Sequence, residues 1–357
     1  MRILDLLIAR QVLGALALAW FVLVGIDLVI YASAQLLRLD RLGIGLGALL
    51  EHLAWTIPRR AYELFPTAAL LGSVLGLGQL ASRSELIAMR AAGASKLRIA
   101  GAVLFTLSAL LAVVVLGGET VAVSGERRAQ AAMVRSGGGG VELIGSGLWA
   151  REGRDVLHAR TALLDADEGL RLRDLRLFRL DEDARLRELW TAQAAIWREG
   201  SWTLLEVRRL VFSEDRIEDV RHPKLVWASE LDPQLLRLGA IRPRYMPVRE
   251  LRAQIDYFER NELDATEYRI ALWARVFYPL NVLAMCLCGL PFAFGSPRGA
   301  GFGRNLFFGV MLGIGFWLAQ RALVNLAQVY GLDLLAVSGL PALAFGAAGI
   351  AWLRRTR

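Results

Sequence analysis

The chain has 357 residues, 55% of them hydrophobic, a mean hydropathy of +0.42 and a formal net charge of +8. An ordinary soluble domain is about 45–50% apolar, so this composition excludes a purely soluble enzyme and points to lipid exposure. The positive charge invites a nucleic-acid reading, but the basic residues gather beside long apolar runs, where anionic lipid is the expected partner.

A helix crossing roughly 30 Å of hydrocarbon needs about 20 largely apolar residues, because no water is there to satisfy the backbone. Six stretches qualify in chain order: Val12–Ala34, Leu64–Ala81, Ile99–Gly117, Ile270–Phe294, Leu306–Ala327 and Leu334–Leu353. Arg2 and Arg10 precede the first, which outlasts a signal-peptide core and lacks a small-residue cleavage site, so it reads as a retained anchor. Cys286 and Cys288 both fall in the fourth run, leaving no disulfide for any soluble part.

Arginine and lysine in short loops set orientation. One alternating set of connections carries Arg2, Arg10, Arg83, Arg90, Lys96, Arg98, Arg298, Arg304, Arg354, Arg355 and Arg357, and is assigned to the cytoplasm. The opposite set carries Arg38, Arg41, Arg59 and Arg60 between the first two spans and no Lys or Arg between Gln328 and Leu334. Both termini are then cytoplasmic and the large insert lies outside. Gly43-Ile-Gly45-Leu-Gly47 lacks the Lys-Ser/Thr of a phosphate loop and reads as part of an outer connection.

Between the second and third spans, Ser84 is a candidate cap, Leu86, Ile87 and Met89 supply apolar contact, and Gly93 suits a C-terminal stop. A short amphipathic helix along the cytoplasmic surface near 83–93 is predicted. From about Ser136 to Leu238 the sequence is polar and of mixed charge, with period-two patterning in Leu170-Arg-Leu172 and Trp202-Thr-Leu204. Ala195 to Trp202 reads as two strands joined by a turn, Gly137–Gly140 as a joint, and Val248–Asn261 as a surface helix. The three histidines, His52, His158 and His222, are scattered, and no metal-ligand, nucleophile-elbow or Walker pattern occurs.

Charged residues inside spans are functional candidates by default. Asp27 lies about 15 residues beyond Val12 and Arg321 about 15 beyond Leu306, so both sit roughly 22 Å from the cytoplasmic ends at 1.5 Å per residue. Asn325 follows Arg321 by one turn on the same face. Arg275 in the fourth span reads as an interfacial anchor.

The stretch Ala81-Ser-Arg83-Ser84-Glu85-Leu86-Ile-Ala-Met89-Arg90, preceded by Phe65-Pro66 to Gly72 and Gly76-Leu-Gly78, resembles the LptF/LptG family of lipopolysaccharide-export permeases. Pro58-Arg-Arg-Ala-Tyr62, Gly147-Leu-Trp149 and Trp273-Ala-Arg275-Val-Phe-Tyr-Pro279-Leu280 extend the likeness, and the Arg-Ser-Glu-Leu wording favours its LptG side. The resemblance implies an α-helical integral membrane protein of the bacterial inner membrane, with six transmembrane helices and an inserted periplasmic β-jellyroll domain. Residues 1–135 would hold the first three spans, 136–247 the jellyroll, and 248–357 a connecting helix and the last three spans.

The same resemblance implies a non-enzymatic permease that extracts lipopolysaccharide and passes it to a periplasmic bridge. Its partners would be an LptF-like permease, two LptB-like ATPase subunits and an LptC-like protein, with ATP and Mg used by the ATPase and no cofactor held by this chain. Arg83, Ser84, Glu85, Leu86, Met89 and Arg90 would couple to the ATPase. Asp27, Arg38, Arg41, Arg127, Arg128, Arg135, Arg321 and Asn325 would line the lipopolysaccharide path, although the lysine expected at the end of the first span is replaced by the uncharged stretch around Tyr31. A mechanical subunit moving a periplasmic partner without its own substrate path is the alternative.

Overall fold

The computed structural model describes residues 2–42, 45–136, 148–165, 169–181, 185–198, 201–212, 216–227, 229, 243–294 and 302–355. The expected Gly137–Gly140 joint and Gly43 of the glycine-rich connection lie outside them. In chain order come helices α1 (Arg2–Leu42), α2 (Leu46–Ser82), α3 (Glu85–Ala91), α4 (Lys96–Glu119) and α5 (Val121–Ser136). Strands β1 (Leu148–Glu152), β2 (Asp155–Asp165), β3 (Gly169–Leu180), β4 (Leu186–Arg198), β5 (Ser201–Phe212) and β6 (Ile217–Trp227) follow. The chain closes with α6 (Val248–Arg260), α7 (Thr266–Ala293), α8 (Phe302–Tyr330) and α9 (Leu334–Arg355). Among the described residues, six helical stretches are long and apolar enough to cross a membrane.

Packing divides the chain into two units. One holds Met1–Leu37, Leu53–Glu126 and Arg269–Arg357; the other holds Arg38–His52 and Arg127–Tyr268.

In the first unit the core forms where helical stripes meet. Ile99, Val103, Leu107, Leu111 and Val114 of α4 recur at spacings of three or four and are all buried, as a helix facing its neighbours on one side requires. Close approach depends on small residues: a Cβ at Gly72 of α2 would lie 2.5 Å from Leu16 Cα of α1, and one at Gly76 2.8 Å from Val12 Cα. Hydroxyls inside spans bond back to their own helix, Ser73 to the Ala69 carbonyl at 2.6 Å and Thr106 to that of Ala102 at 2.9 Å. These two hydroxyls thus enter the apolar region already satisfied.

The second span differs from its sequence reading. Its helix begins at Leu46, so Arg59 and Arg60, assigned above to a connection, lie well inside α2. Hydropathy fails there because side-chain partners from other helices, not water, satisfy these arginines.

In the second unit the expected β domain contains a single six-stranded antiparallel sheet, in the order β1-β2-β3-β4-β5-β6, among the described residues. The predicted pair of strands is present, with Trp197 opposite Trp202 and Arg198 opposite Ser201. Leu157, Leu172, Leu177, Trp202, Leu204 and Val207 are buried on one face. Pairing skips one residue on each of five strands: it passes from Ala159–Leu175 to Thr161–Arg173, from Leu175–Ala192 to Arg173–Ala194, from Ala192–Val207 to Ala194–Leu205, and from Val207–His222 to Leu205–Lys224. Asp174 and Glu206 on this crease have φ of 51°. The crease shifts inward phase, so buried Leu172 is followed by Leu175 and Leu177 rather than by residue 174. Helix α6 buries Leu251, Gln254 and Ile255, and Tyr257 packs on the sheet core.

Glu188, only 8% exposed, is held by Arg209 at 2.7 and 3.0 Å and accepts from Trp190 Nε1 at 2.7 Å. The Arg209 hydrogen bond, aided by Trp190 and the charges of Arg209 and Arg179, keeps its carboxyl below the ordinary value of 4.5. A depressed carboxylate stabilises the fold fully above that value, and the contribution is lost as pH falls through the lower folded value. The protection of β4 and β5 amides against hydrogen exchange in the full-length chain, measured relative to the intrinsic exchange rate at each pH, should therefore fall as the pH drops below the ordinary carboxylate range. Glu188→Gln should raise exchange at neutral pH and flatten the acid dependence.

Candidate functional site

The segment expected to couple to an ATPase is the seven-residue helix α3. It ends as the glycine predicts: Gly93, at φ 91°, donates to the Arg90 carbonyl and Ala94 to that of Met89, closing the last turn. Its start differs, since Ser84 occupies the cap position at φ 61° without a side-chain cap. Ser95 caps the next helix instead, accepting from Arg98 N at 3.2 Å.

Leu86 and Met89 are each 4% exposed and belong to the core of the helical unit, whereas Ile87 is 52% exposed. Of the six residues expected to couple, these two seat the helix on its own chain. Arg83, Ser84 and Arg90 are exposed and Glu85 is half-buried, so the outward surface consists of polar and basic groups around Ile87. Asp5 of α1 pairs with Arg98 at 2.6 Å beside this seat, and Gln11 bonds to Gln79. Leu86 and Met89 share one buried cluster with Ile8 of α1, Leu80 of α2 and Ile99 of α4, and these two pairs tie α1 to α2 and α4 beside it.

The second group lies in and beyond the opposite halves of the spans. Asp27 pairs with Arg60 of α2, an acid–base contact within the chain. Arg59 bonds to Glu126 at 2.7 Å and to Glu63 at 3.0 Å, and Arg275 to Glu119 at 2.6 Å. The Arg275 guanidinium also sits 5.8 Å from the Tyr62 ring, which stacks on Tyr278 at 4.3 Å. Arg275, read as an interfacial anchor, is instead a largely buried cross-link between α7 and α4, at 10% side-chain exposure.

Arg127 pairs with Glu250 of α6, and Arg128 is exposed. Arg38 and Arg41 fall in the last turns of α1, and Arg135 in the last turn of α5. Arg321 and Asn325 are exposed on α8, with the Arg321 guanidinium 5.4 Å from the Trp317 ring. Arg321 has no ion-pair partner among the described residues. The structure therefore separates expected path residues into two kinds: Asp27 and Arg127 engaged with partners in the same chain, and Arg321 with Asn325 turned outward.

Sequence reasoning missed Arg60, Glu119 and Glu126. The available signal was the presence of acids at the outer ends of the second and third runs, Glu63, Glu119 and Glu126, opposite arginines that had been counted as loop charges.

These features define a polytopic membrane protein with an inserted β domain and a short surface helix between its second and third spans. The chain belongs to the family described as lipopolysaccharide export system permease LptF/LptG, whose model matches residues 6–355. It is 29% identical over 345 residues to the lipopolysaccharide export system permease protein LptG of Haemophilus influenzae, covering 96% of this chain and 95% of that one. It is 28% identical over 360 residues to the protein of the same name from Escherichia coli K12, with 96% and 95% covered.

Proposed function

We propose that this chain is the LptG-type half of a heterodimeric permease that moves lipopolysaccharide out of the inner membrane toward a periplasmic bridge. Family membership over nearly the whole chain supports the cargo class. The observation that carries the transport mechanism is the construction of α3, seated by buried Leu86 and Met89 while Ile87 and Arg90 face outward. A peg seated by buried side chains in the helical core transmits force; a free loop does not. An LptF-like permease, two LptB-like ATPase subunits and an LptC-like protein complete the assembly in this reading, with ATP and Mg consumed by the ATPase and no cofactor on this chain. The arginine asymmetry of the connections puts α3 in the cytoplasm and the β domain in the periplasm.

Ile87→Asp tests the docking role, because it places a charge at the centre of the exposed patch without touching the buried seat. The ATPase should no longer co-purify, while the permease still inserts and accumulates. Retention of the ATPase with normal export would overturn the assignment of α3.

Arg321, exposed on α8 and backed by Trp317, is the residue proposed to meet the phosphates of the cargo. Arg321→Ala should lower photocrosslinking of lipopolysaccharide to a probe at Asn325 in the assembled complex. Arg321→Lys should keep part of it, since a point charge attracts phosphate without the planar fork. Unchanged crosslinking in the alanine variant would remove Arg321 from the path.

A further inference from the structure

We infer that Arg60 is a positioning residue for α1, fixing the outer half of that helix on α2 through Asp27 and Tyr31. The inner half of α1 is held by apolar packing, with Ile8, Val12 and Leu16 buried at successive four-residue steps. From Ala17 to Leu36 no residue of α1 is buried, and Phe21, Val29 and Ile30 are 80%, 69% and 64% exposed. Apolar contact alone gives that half little reason to stay on α2, because lipid tails are as apolar as leucine.

Polar contacts supply the missing hold. Trp20 Nε1 donates to the Ala61 carbonyl at 2.8 Å, and farther along Arg60 reaches α1 twice. Its guanidinium pairs with Asp27 and lies 3.8 Å from the centre of the Tyr31 ring. Its Nε is 3.3 Å from Thr56 Oγ1 on its own helix. The Arg60 side chain is 7% exposed and that of Asp27 40%. The arginine therefore depends on α1 for its counter-charge, and α1 depends on the arginine for its place.

The test measures distances by pulsed electron resonance in the full-length chain purified with its accompanying subunits. Nitroxides at Ile30 and Ile57 report the outer halves of α1 and α2, and a second pair at Leu6 and Ser82 reports the inner halves; all four positions are exposed. Cys286 and Cys288 are buried and escape labelling. Asp27→Asn should shift or broaden the outer distance by on the order of one helical turn's rise, ~5 Å, and leave the inner one unchanged. The reversed pair Asp27→Lys with Arg60→Glu should bring the outer distance back toward its original value.

An outer distance in Asp27→Asn equal to that of the unsubstituted chain would overturn the inference, as would equal shifts of both distances. If Asp27→Asn does not accumulate, the double variant Asp27→Asn with Arg60→Gln, which removes both charges and leaves neither stranded, is read by the same two distances, an isolated outer displacement supporting the role of the pair and no displacement overturning it. The readout does not involve cargo, so its failure leaves the permease reading standing.

Discussion

Gly72→Val is expected to dislodge α1 and leave little folded protein in the membrane. The added Cβ would sit 2.5 Å from both Cα and Cβ of Leu16 and 2.8 Å from its N, so the obstacle is backbone, which cannot swing aside. Overpacking a core by methylenes alone costs about 1–3 kcal/mol. Here the whole inner half of α1 must retreat, breaking the Val12–Gly76 approach and the Gln11–Gln79 bond with it. Thermal unfolding in detergent and protease sensitivity of α1 give the measurement. Gly101→Val is the matched control, since a Cβ at Gly101 meets nothing within 4 Å, and it should leave both readings near those of the unsubstituted chain.

Glu119→Ala is expected to have the next largest effect. It removes the counter-charge from Arg275, whose side chain is 10% exposed against 30% for Glu119. Removing one partner of a buried pair costs up to about 3–5 kcal/mol, and the more buried partner loses more. Arg275→Leu, which strands the more accessible acid, should therefore destabilise less. The double variant Glu119→Leu with Arg275→Leu should recover much of the loss, because two apolar side chains need no partner in hydrocarbon. Unfolding midpoints of the four proteins in one detergent decide the order; equal losses in both single variants and the double would show that the pair contributes only by its volume.

The pH response of Glu188 and these two substitutions follow from contacts between residues far apart in sequence, and this distance marks how much could be read beforehand. Six apolar runs were legible because length and hydropathy alone decide whether a helix can satisfy its backbone in lipid. The stop at Gly93, the pairing of Trp197 with Trp202 and the start of α6 at Val248 were legible because turn and strand chemistry is local. The inserted β domain was legible from its loss of spanning runs and its period-two pattern.

Tertiary structure alone decided which charges are engaged. Asp27 in isolation is an unexplained acid in a span; 33 residues away in sequence, Arg60 gives it a role. Glu119 and Arg275 are 156 residues apart, and no local rule joins them. The crease across the sheet escaped for the same reason, since Asp174 and Glu206 show nothing unusual until neighbouring strands are paired. In α3, composition established an amphipathic helix, but only packing showed that Leu86 and Met89 turn inward and Ile87 outward. Sequence thus determined which segments enter the membrane, because that depends on transfer of each segment from water. The structure determined which polar groups remain available to a partner, because that depends on what each one has already met.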